Sequence, residues 1–213
     1  MKKGIALLLV LLIAVVCCAC GEKNDSKKEE PTESHPVTYV LAPDAQSNQK
    51  VKPDEFKAVK EVLDTRLKVA GVEYSVESEN GEFTVTLPDN LGTDLLTRKG
   101  VVAFVGPNGN PAIVNSDIKS SSVEYDKNKK EHFAKLVFTD EGKKKFEELT
   151  KSSIGKATEV FIDSEVICAP TVYAPITNGE VEIHGDFTEE KAITVASLMI
   201  GETLPFPLKI VSQ

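Results

Sequence analysis

The sequence predicts an α+β fold, in which β-strands are joined by hairpin turns and separated by a few amphipathic helices. Two runs of alternating apolar and polar residues, 73–79 and 82–87, meet at Asn80–Gly81, which is a strong signal for a β-hairpin. Apolar residues at spacings of three and four over residues 56–70 predict a long amphipathic helix. A second helix is predicted after Thr188, which is a good N-cap residue.

The first part of the chain is predicted to follow the order β-α-β-β. A strand is expected at 37–41, and the helix after it begins at Pro53, because proline is tolerated in the first turn. Gly71 ends that helix with a left-handed cap, and the hairpin follows.

Residues 91–111 are expected to lead out of this unit. Leu91–Lys99 is predicted to be a short helix that ends at Gly100. Residues 101–105 form an apolar run without alternation, which predicts a strand buried on both faces. The glycines, prolines and asparagines of 106–111 form a turn cluster, which we take as a candidate boundary between two parts of the fold.

A second α+β unit is predicted from residue 122 onwards. Thr139 is expected to cap a helix whose inner face carries Phe146 and Leu149. The final helix after Thr188 is expected to be largely buried and to end at Gly201, before a last strand. Strands are predicted at residues 122–126, 133–138, 158–162, 166–168 and 181–184.

Residues 1–20 have the pattern of a bacterial lipoprotein signal peptide. Two lysines precede an apolar run over 5–16, which is too short for a comfortable transmembrane helix. Ala19 precedes Cys20, so Cys20 is the predicted lipidation site; cleavage by an ordinary signal peptidase and retention as an uncleaved anchor are the alternatives. Residues 21–36 contain no large apolar residue and are predicted to be a disordered polar tether.

The composition argues against several classes of function. The formal net charge is −8, which disfavours binding to nucleic acid or to anionic lipid. Cys168 is the only cysteine beyond residue 20, so no disulfide is expected within the processed chain. The histidines at 35, 132 and 184 lack metal-ligand spacing, and no nucleophile elbow or phosphate-binding loop is found. We therefore predict no catalytic, cofactor-binding or metal-binding residues.

An ordered series of segments along residues 37–211 resembles the extracytoplasmic P1 domain of SecD, a subunit of the Sec protein-translocation machinery. No single motif is specific, and the order of the segments carries the resemblance. The segments are EVLDTRLKVAGVE, GEFTVTLPDN, LVFTDEGKKKFEELT, EVFIDSEVICAPTVYAPITNGEVEIHGDFTEEKA and GETLPFPLKIV.

The resemblance implies a ferredoxin-like base and an inserted α+β head. The base is expected to contain residues 37–100 and the last strand, 205–213, and the head residues 101–204. In the family the head swings relative to the base. The turns at 106–111 and 201–207 are candidate hinges here; the alternative is that they are ordinary connecting loops.

The function implied by the resemblance is not enzymatic. We expect a stand-alone lipoprotein on the extracytoplasmic face of a bacterial cell membrane, without the transmembrane helices of SecD. It is expected to assist protein export by binding emerging polypeptide or the Sec translocase. The alternative is a divergent envelope lipoprotein that uses the same fold to bind a ligand or partner unrelated to Sec.

Overall fold

The computed structural model describes residues 35–44 and 52–213. The predicted signal peptide, the predicted lipidation site Cys20 and most of the predicted tether lie outside the described residues. Within the described ranges, no helix combines the length and the apolar character that crossing a membrane requires.

The described chain alternates short strands with four α-helices and one 3-10 helix at Asn115–Asp117. The helices are α1 (Pro53–Ala70), α2 (Asp94–Thr97), α3 (Asp140–Ser152) and α4 (Glu189–Leu198). The strands are β1 (Pro36–Pro43), β2 (Ser75–Glu79), β3 (Glu82–Pro88), β4 (Val102–Val105), β5 (Pro111–Val114), β6 (Ile118–Asp126), β7 (Glu131–Phe138), β8 (Glu159–Ile162), β9 (Glu165–Cys168), β10 (Glu180–Ile183) and β11 (Leu208–Ser212).

The first sheet has the antiparallel strand order β11-β1-β3-β2, with α1 between β1 and β2. The β2–β3 turn has Asn80 at φ 53° and Gly81 at φ 88°, as a type I′ hairpin turn requires. The predicted β-α-β-β order and hairpin are therefore confirmed. The last strand, β11, returns from the far end of the sequence to pair with β1, which completes a ferredoxin-like arrangement.

The segment between β3 and β11 forms two more antiparallel sheets. One has the order β5-β4-β8-β9, and the other has the order β10-β7-β6. Helix α3 begins where predicted, because the Thr139 hydroxyl accepts a hydrogen bond from the Gly142 backbone N–H at 3.0 Å. The same type of cap at Thr188 begins α4.

Two hydrophobic cores lie within the described unit. The first core joins α1 to the first sheet and includes Leu63, Leu67, Phe83 and Val85. The second core joins the other two sheets to α3 and α4. It includes Phe104, Leu136, Phe138, Phe146, Ile162 and Leu198.

Helix α4 contributes to both cores. Ile193 packs against the first core, whereas Val195, Ala196 and Leu198 belong to the second. The prediction of a largely buried helix is therefore confirmed, since six of its ten residues are buried. Gly201 adopts φ 75°, the left-handed conformation that was expected after the helix.

Three predictions between residues 91 and 114 are wrong. The helix expected at Leu91–Lys99 is only α2, because Arg98 is extended (φ −74°, ψ 146°) and ends it. Strand β4 is not buried on both faces: its burial alternates, and Val101 before it is 41% exposed. The turn cluster 106–111 is not a boundary, because it leads from β4 into β5, a paired strand that the sequence did not predict. The proline at the start of β5 and its four-residue length obscure the strand pattern.

Candidate functional site

An apolar groove opens beside the second core. Its volume is about 320 Å³, and it lies between β8, β10, α3 and the segment 170–176 that leads towards β10. The lining side chains that reach the core are apolar. They are Phe104, Phe146, Val160, Ile176, Val181 and Ile183.

The short-range pattern of the sequence directs these side chains into the groove. Alternation along β10 puts Val181 and Ile183 on one face, while Glu180 and Glu182 point to the other. On α3, Phe146 lies on the same helical face as Leu149 and Thr150, which are also buried. The groove is thus built from inward-facing residues of elements that are far apart in sequence.

Main-chain hydrogen bonds hold segment 170–176 against the groove. The Val172 backbone N–H donates to the Lys156 carbonyl at 3.0 Å, and the Val172 carbonyl accepts from the Gly155 N–H at 2.8 Å. The Ile176 N–H donates to the Thr150 hydroxyl oxygen at 3.0 Å. The outer wall of the groove is therefore fixed at both ends.

One buried polar group in the groove has no protein partner. Thr158 is only 4% exposed and lines the groove, and its hydroxyl makes no hydrogen bond among the described residues. A buried hydroxyl without a partner costs about 1–3 kcal/mol. At the rim, the Tyr173 side chain is 87% exposed. An occupant of the groove would meet a buried hydrogen-bonding group and an exposed aromatic ring.

The face of β10 opposite the groove carries an ordered row of charges. Lys135 on β7 lies 3.1 Å from Glu180 on β10 and 3.9 Å from Glu124 on β6. The hydrogen bond with Glu180, followed by the charges of Glu180 and Glu124, raises the pKa of Lys135. Across the three strands, the charges therefore alternate negative, positive, negative.

A larger depression of about 680 Å³ lies between the β4–β5 turn and α3. Its lining includes the charged side chains of Lys145, Glu148 and Lys156. Because ligand sites are predominantly apolar with a few placed polar groups, the apolar groove is the stronger candidate site.

Two of the three histidines noted in the sequence, His132 and His184, lie at one end of the β6–β7–β10 sheet, whereas His35 is exposed immediately before β1. His184 Nδ1 and Nε2 lie 2.9 Å from carboxylate oxygens of Glu131 and Glu182, and Phe133 stacks on the ring. His132 packs against Tyr125 with ring centroids 4.8 Å apart. These contacts give both rings structural roles, and within the described ranges no cluster of three or more potential metal ligands is found.

Cys168 is half-buried near the end of β9. Burial raises the pKa of its thiol to about 11, so the thiol is almost entirely protonated near neutral pH. Since the thiolate is the reactive form, Cys168 is a poor nucleophile.

Two arginines near α2 are not marked by any of the sequence patterns described above. Arg66 is fully buried, and its terminal nitrogens donate to the carbonyls of Leu95, Arg98 and Lys99 at 2.6–3.0 Å. Burial lowers the pKa of Arg66 to about 10. Its position in the apolar stripe of α1, three residues after Leu63, is the signal that would have revealed it.

Arg98 connects this region to the β8–β9 hairpin. Its guanidinium donates to Asp163 at 3.1 Å, to Glu165 at 2.7 Å and to the Ile162 carbonyl at 2.8 Å. Lys191 on α4 also approaches Glu165, at 3.4 Å. These contacts hold the end of α2 against the second core.

Comparison with known proteins gives a consistent result. The family model described as SecDF, P1 head subdomain, matches residues 94–206. Protein translocase subunit SecD of Acidaminococcus fermentans is 26% identical over 180 residues, which cover 82% of this chain and 43% of that protein. Protein translocase subunit SecDF of Thermus thermophilus is 34% identical over 102 residues, which cover 48% of this chain and 14% of that protein.

Two solved structures share the fold. A crystal structure of SecDF in a super-membrane-facing form has a TM-score of 0.66 at 24% identity, over 84% of this chain and 30% of that chain. A structure of a membrane component SecDF that enhances protein export has a TM-score of 0.60 at 23% identity, over 83% of this chain and 99% of that chain. The predicted α+β, SecD P1-like fold is therefore confirmed. The chain spans less than half the length of the curated relatives it matches.

Proposed function

The chain belongs to the SecDF P1 head subdomain family, and on this premise we propose that it is a non-enzymatic accessory in protein export that binds emerging polypeptide. Similar proteins are named as translocase subunits, and one structure of similar fold is described as a component that enhances protein export. No cofactor is needed for this role. The second partner that we propose is the Sec translocase itself.

The observation that carries the proposal is the apolar groove with its buried, unpaired Thr158 hydroxyl. An unfolded chain presents apolar side chains together with main-chain donors and acceptors. Burial of an apolar side chain in such a groove favours binding by about 1.5–3 kcal/mol. The Thr158 hydroxyl can form a hydrogen bond with a polar atom of the bound polypeptide. The groove therefore matches both kinds of group on an unfolded chain.

Photo-crosslinking to a stalled export substrate tests the proposal. Benzoylphenylalanine replaces Tyr173, which is 87% exposed at the groove, and in a control it replaces Tyr125, which is 50% exposed on β6. We expect a crosslink to the stalled polypeptide from position 173 and little from position 125. Equal labelling from both positions, or labelling no stronger than that of an unrelated membrane-tethered lipoprotein, would favour the alternative of a partner unrelated to Sec.

We further propose that the protein is held on the extracytoplasmic face of the cell membrane through a lipid on Cys20. Replacement of Cys20 by serine should release the protein from the membrane fraction and change its electrophoretic mobility. Replacement of Cys18 by serine is the matched control and should do neither. Membrane retention and mobility that are unchanged by Cys20→Ser would exclude lipidation at this residue.

We also propose that residues 37–100 and 205–213 form a base and that residues 101–204 form an inserted head. The separation of the buried side chains into two hydrophobic cores supports this division. Hydrogen exchange in a variant that weakens only one core tests it: faster exchange confined to that core's residues is the expected result.

A further inference from the structure

We infer that the groove binds an extended segment that pairs as an added strand with the free edge of β10. The inference rests on the proposed function and adds the conformation and the sequence preference of the bound polypeptide. It follows from the main chain of β10, from its two faces and from the charges next to it.

The main chain of β10 is paired on one side. Its partner there is β7, and among the described residues no strand pairs with its other edge. The Phe138 N–H donates to the Gly179 carbonyl at 2.9 Å, so the main chain of Gly179 faces β7. In an antiparallel ladder every second residue bonds the same neighbouring strand, so the N–H and carbonyl groups of Val181 and Ile183 also face β7. The N–H and carbonyl of Glu182 and the carbonyl of Glu180 consequently point away from β7, towards the free edge.

The face of β10 that lines the groove determines which side chains of the added strand would be buried. Because Val181 and Ile183 line the groove, a strand about 4.8 Å beyond β10 places every second side chain over the same cavity. The opposite wall carries Val160 and the unpaired Thr158 hydroxyl. Apolar side chains at alternate positions of the segment would therefore be buried, with one hydrogen bond available to a polar atom among them.

The other face of the added strand continues the row of charges. Glu124, Lys135 and Glu180 form a negative, positive, negative series across β6, β7 and β10. Opposite charges on neighbouring strands are favourable, so lysine or arginine is preferred on the next strand at the positions that face this row. The preferred segment is thus apolar and cationic in alternation.

An amphipathic helix does not meet these conditions. A helix uses its own main-chain groups internally, so it leaves the edge of β10 without a partner. Its apolar residues recur at three and four, whereas the β10 face requires a period of two. The arrangement therefore favours an extended occupant.

The probe is a fluorescent octapeptide that alternates lysine and valine, titrated onto the full chain. Two controls have related compositions: one alternates glutamate and valine, and the other contains four lysines followed by four valines. We expect the alternating lysine–valine peptide to bind at least about tenfold more tightly than either control.

Backbone methylation of the probe tests the strand pairing itself. One derivative carries N-methyl groups on all lysines, and the other carries them on all valines. In a paired strand, the main-chain N–H groups of only one of these two sets point towards β10. They are the N–H groups of the lysines if the pairing is antiparallel and those of the valines if it is parallel. Methylation of that set should weaken binding by about tenfold or more, and methylation of the other set should have little effect.

Protein variants check the site. Thr158→Val should weaken binding of the alternating lysine–valine peptide severalfold, and Glu182→Gln should reduce the preference for lysine over glutamate. Glu77→Gln on the exposed part of β2 is the charge-matched control and should change neither. Circular dichroism confirms that each variant keeps its fold.

The outcomes separate the two proposals. Binding that is equally sensitive, or equally insensitive, to the two methylation sets overturns strand pairing and leaves groove binding intact. If none of the octapeptides binds, this inference is also overturned, while the proposed function is decided separately by crosslinking from position 173.

Discussion

The two hydrophobic cores differ in how they treat their buried polar groups. In the first core, the terminal nitrogens of Arg66 donate to three carbonyls, although its Nε has no partner among the described residues, and α1 covers the sheet. In the second core, a groove extends inward to Phe104 and Phe146, and the Thr158 hydroxyl has no partner among the described residues. On the proposed function, the second core gives up some stability to keep a binding surface open.

Replacement of Arg66 by alanine should have the largest effect on stability. It removes the side-chain donor of three carbonyls, of which the Lys99 carbonyl also accepts from the Leu204 N–H, and it leaves a cavity. We therefore expect the free energy of unfolding to fall by about 3–5 kcal/mol. Urea denaturation measures the loss. Arg66→Lys, which keeps the charge but has fewer donors, should lose less.

The same variant tests whether the cores are separate. Hydrogen exchange should accelerate at Phe83 and Val85 of the first core more than at Leu136 and Phe138 of the second. Uniform acceleration in both cores would show that they unfold as one cooperative unit and would argue against a base and a head.

Replacement of Arg98 by alanine should have an intermediate effect. Arg98 bonds Asp163, Glu165 and the Ile162 carbonyl, but its side chain remains 18% exposed, so we expect a loss of about 1–2 kcal/mol. Urea denaturation measures this loss too. If Arg98→Lys lowers the free energy of unfolding by no more than the experimental error, then the positive charge alone, and not the geometry of the guanidinium group, joins α2 to the β8–β9 hairpin.

Replacement of Thr158 by valine should change stability in the opposite direction. Loss of an unpaired buried hydroxyl should raise the free energy of unfolding by about 0.5–1 kcal/mol while peptide binding weakens. Thr150→Val is the matched control, because the Thr150 hydroxyl is paired with Phe146 and Ile176, and it should destabilise the protein. Destabilisation by Thr158→Val as well would mean that the hydroxyl supports the fold and not a ligand.

The smallest effect concerns pH and Glu165. Partial burial opposes ionisation of this carboxyl, but the hydrogen bond from Arg98 and the charge of Lys191 outweigh it, so its pKa lies below the ordinary value. A carboxyl with a lowered pKa in the folded state stabilises that state at neutral pH, and the contribution is lost as the pH falls through the folded pKa. In urea denaturation, the stability difference between the wild type and Glu165→Gln should therefore shrink between pH 7 and pH 3. A difference that is constant over this range would contradict the assignment.

The first core is more predictable from sequence than the second. The period of α1, its proline and glycine ends and the Asn80–Gly81 turn are local signals, and the structure confirms them. The buried role of Arg66 depends on carbonyls 29–33 residues away, so local patterns cannot supply its partners. Strand β5 was missed because its four residues begin with proline immediately after a turn.

The groove could not be assembled from sequence patterns. The sequence predicted strands at 158–162 and 181–184, but these strands belong to different sheets, and segment 170–176 carries no periodic signal. The unpaired state of Thr158 is visible only once its neighbours are placed. The resemblance to SecD indicated the fold and is the basis of the proposed role, whereas the residues of the candidate site came from the geometry.

The position of helix α4 between the two cores limits which substitutions its sequence can accept. Ile193 faces one core while Val195, Ala196 and Leu198 face the other, and Thr194 and Ser197 are buried as well. A substitution on this helix must satisfy two packing environments at once, so an acceptable change at one position will often require a compensating change in a distant strand. Sequence drift should therefore be slowest here, and α4 should remain recognisable in relatives whose surfaces have lost all similarity.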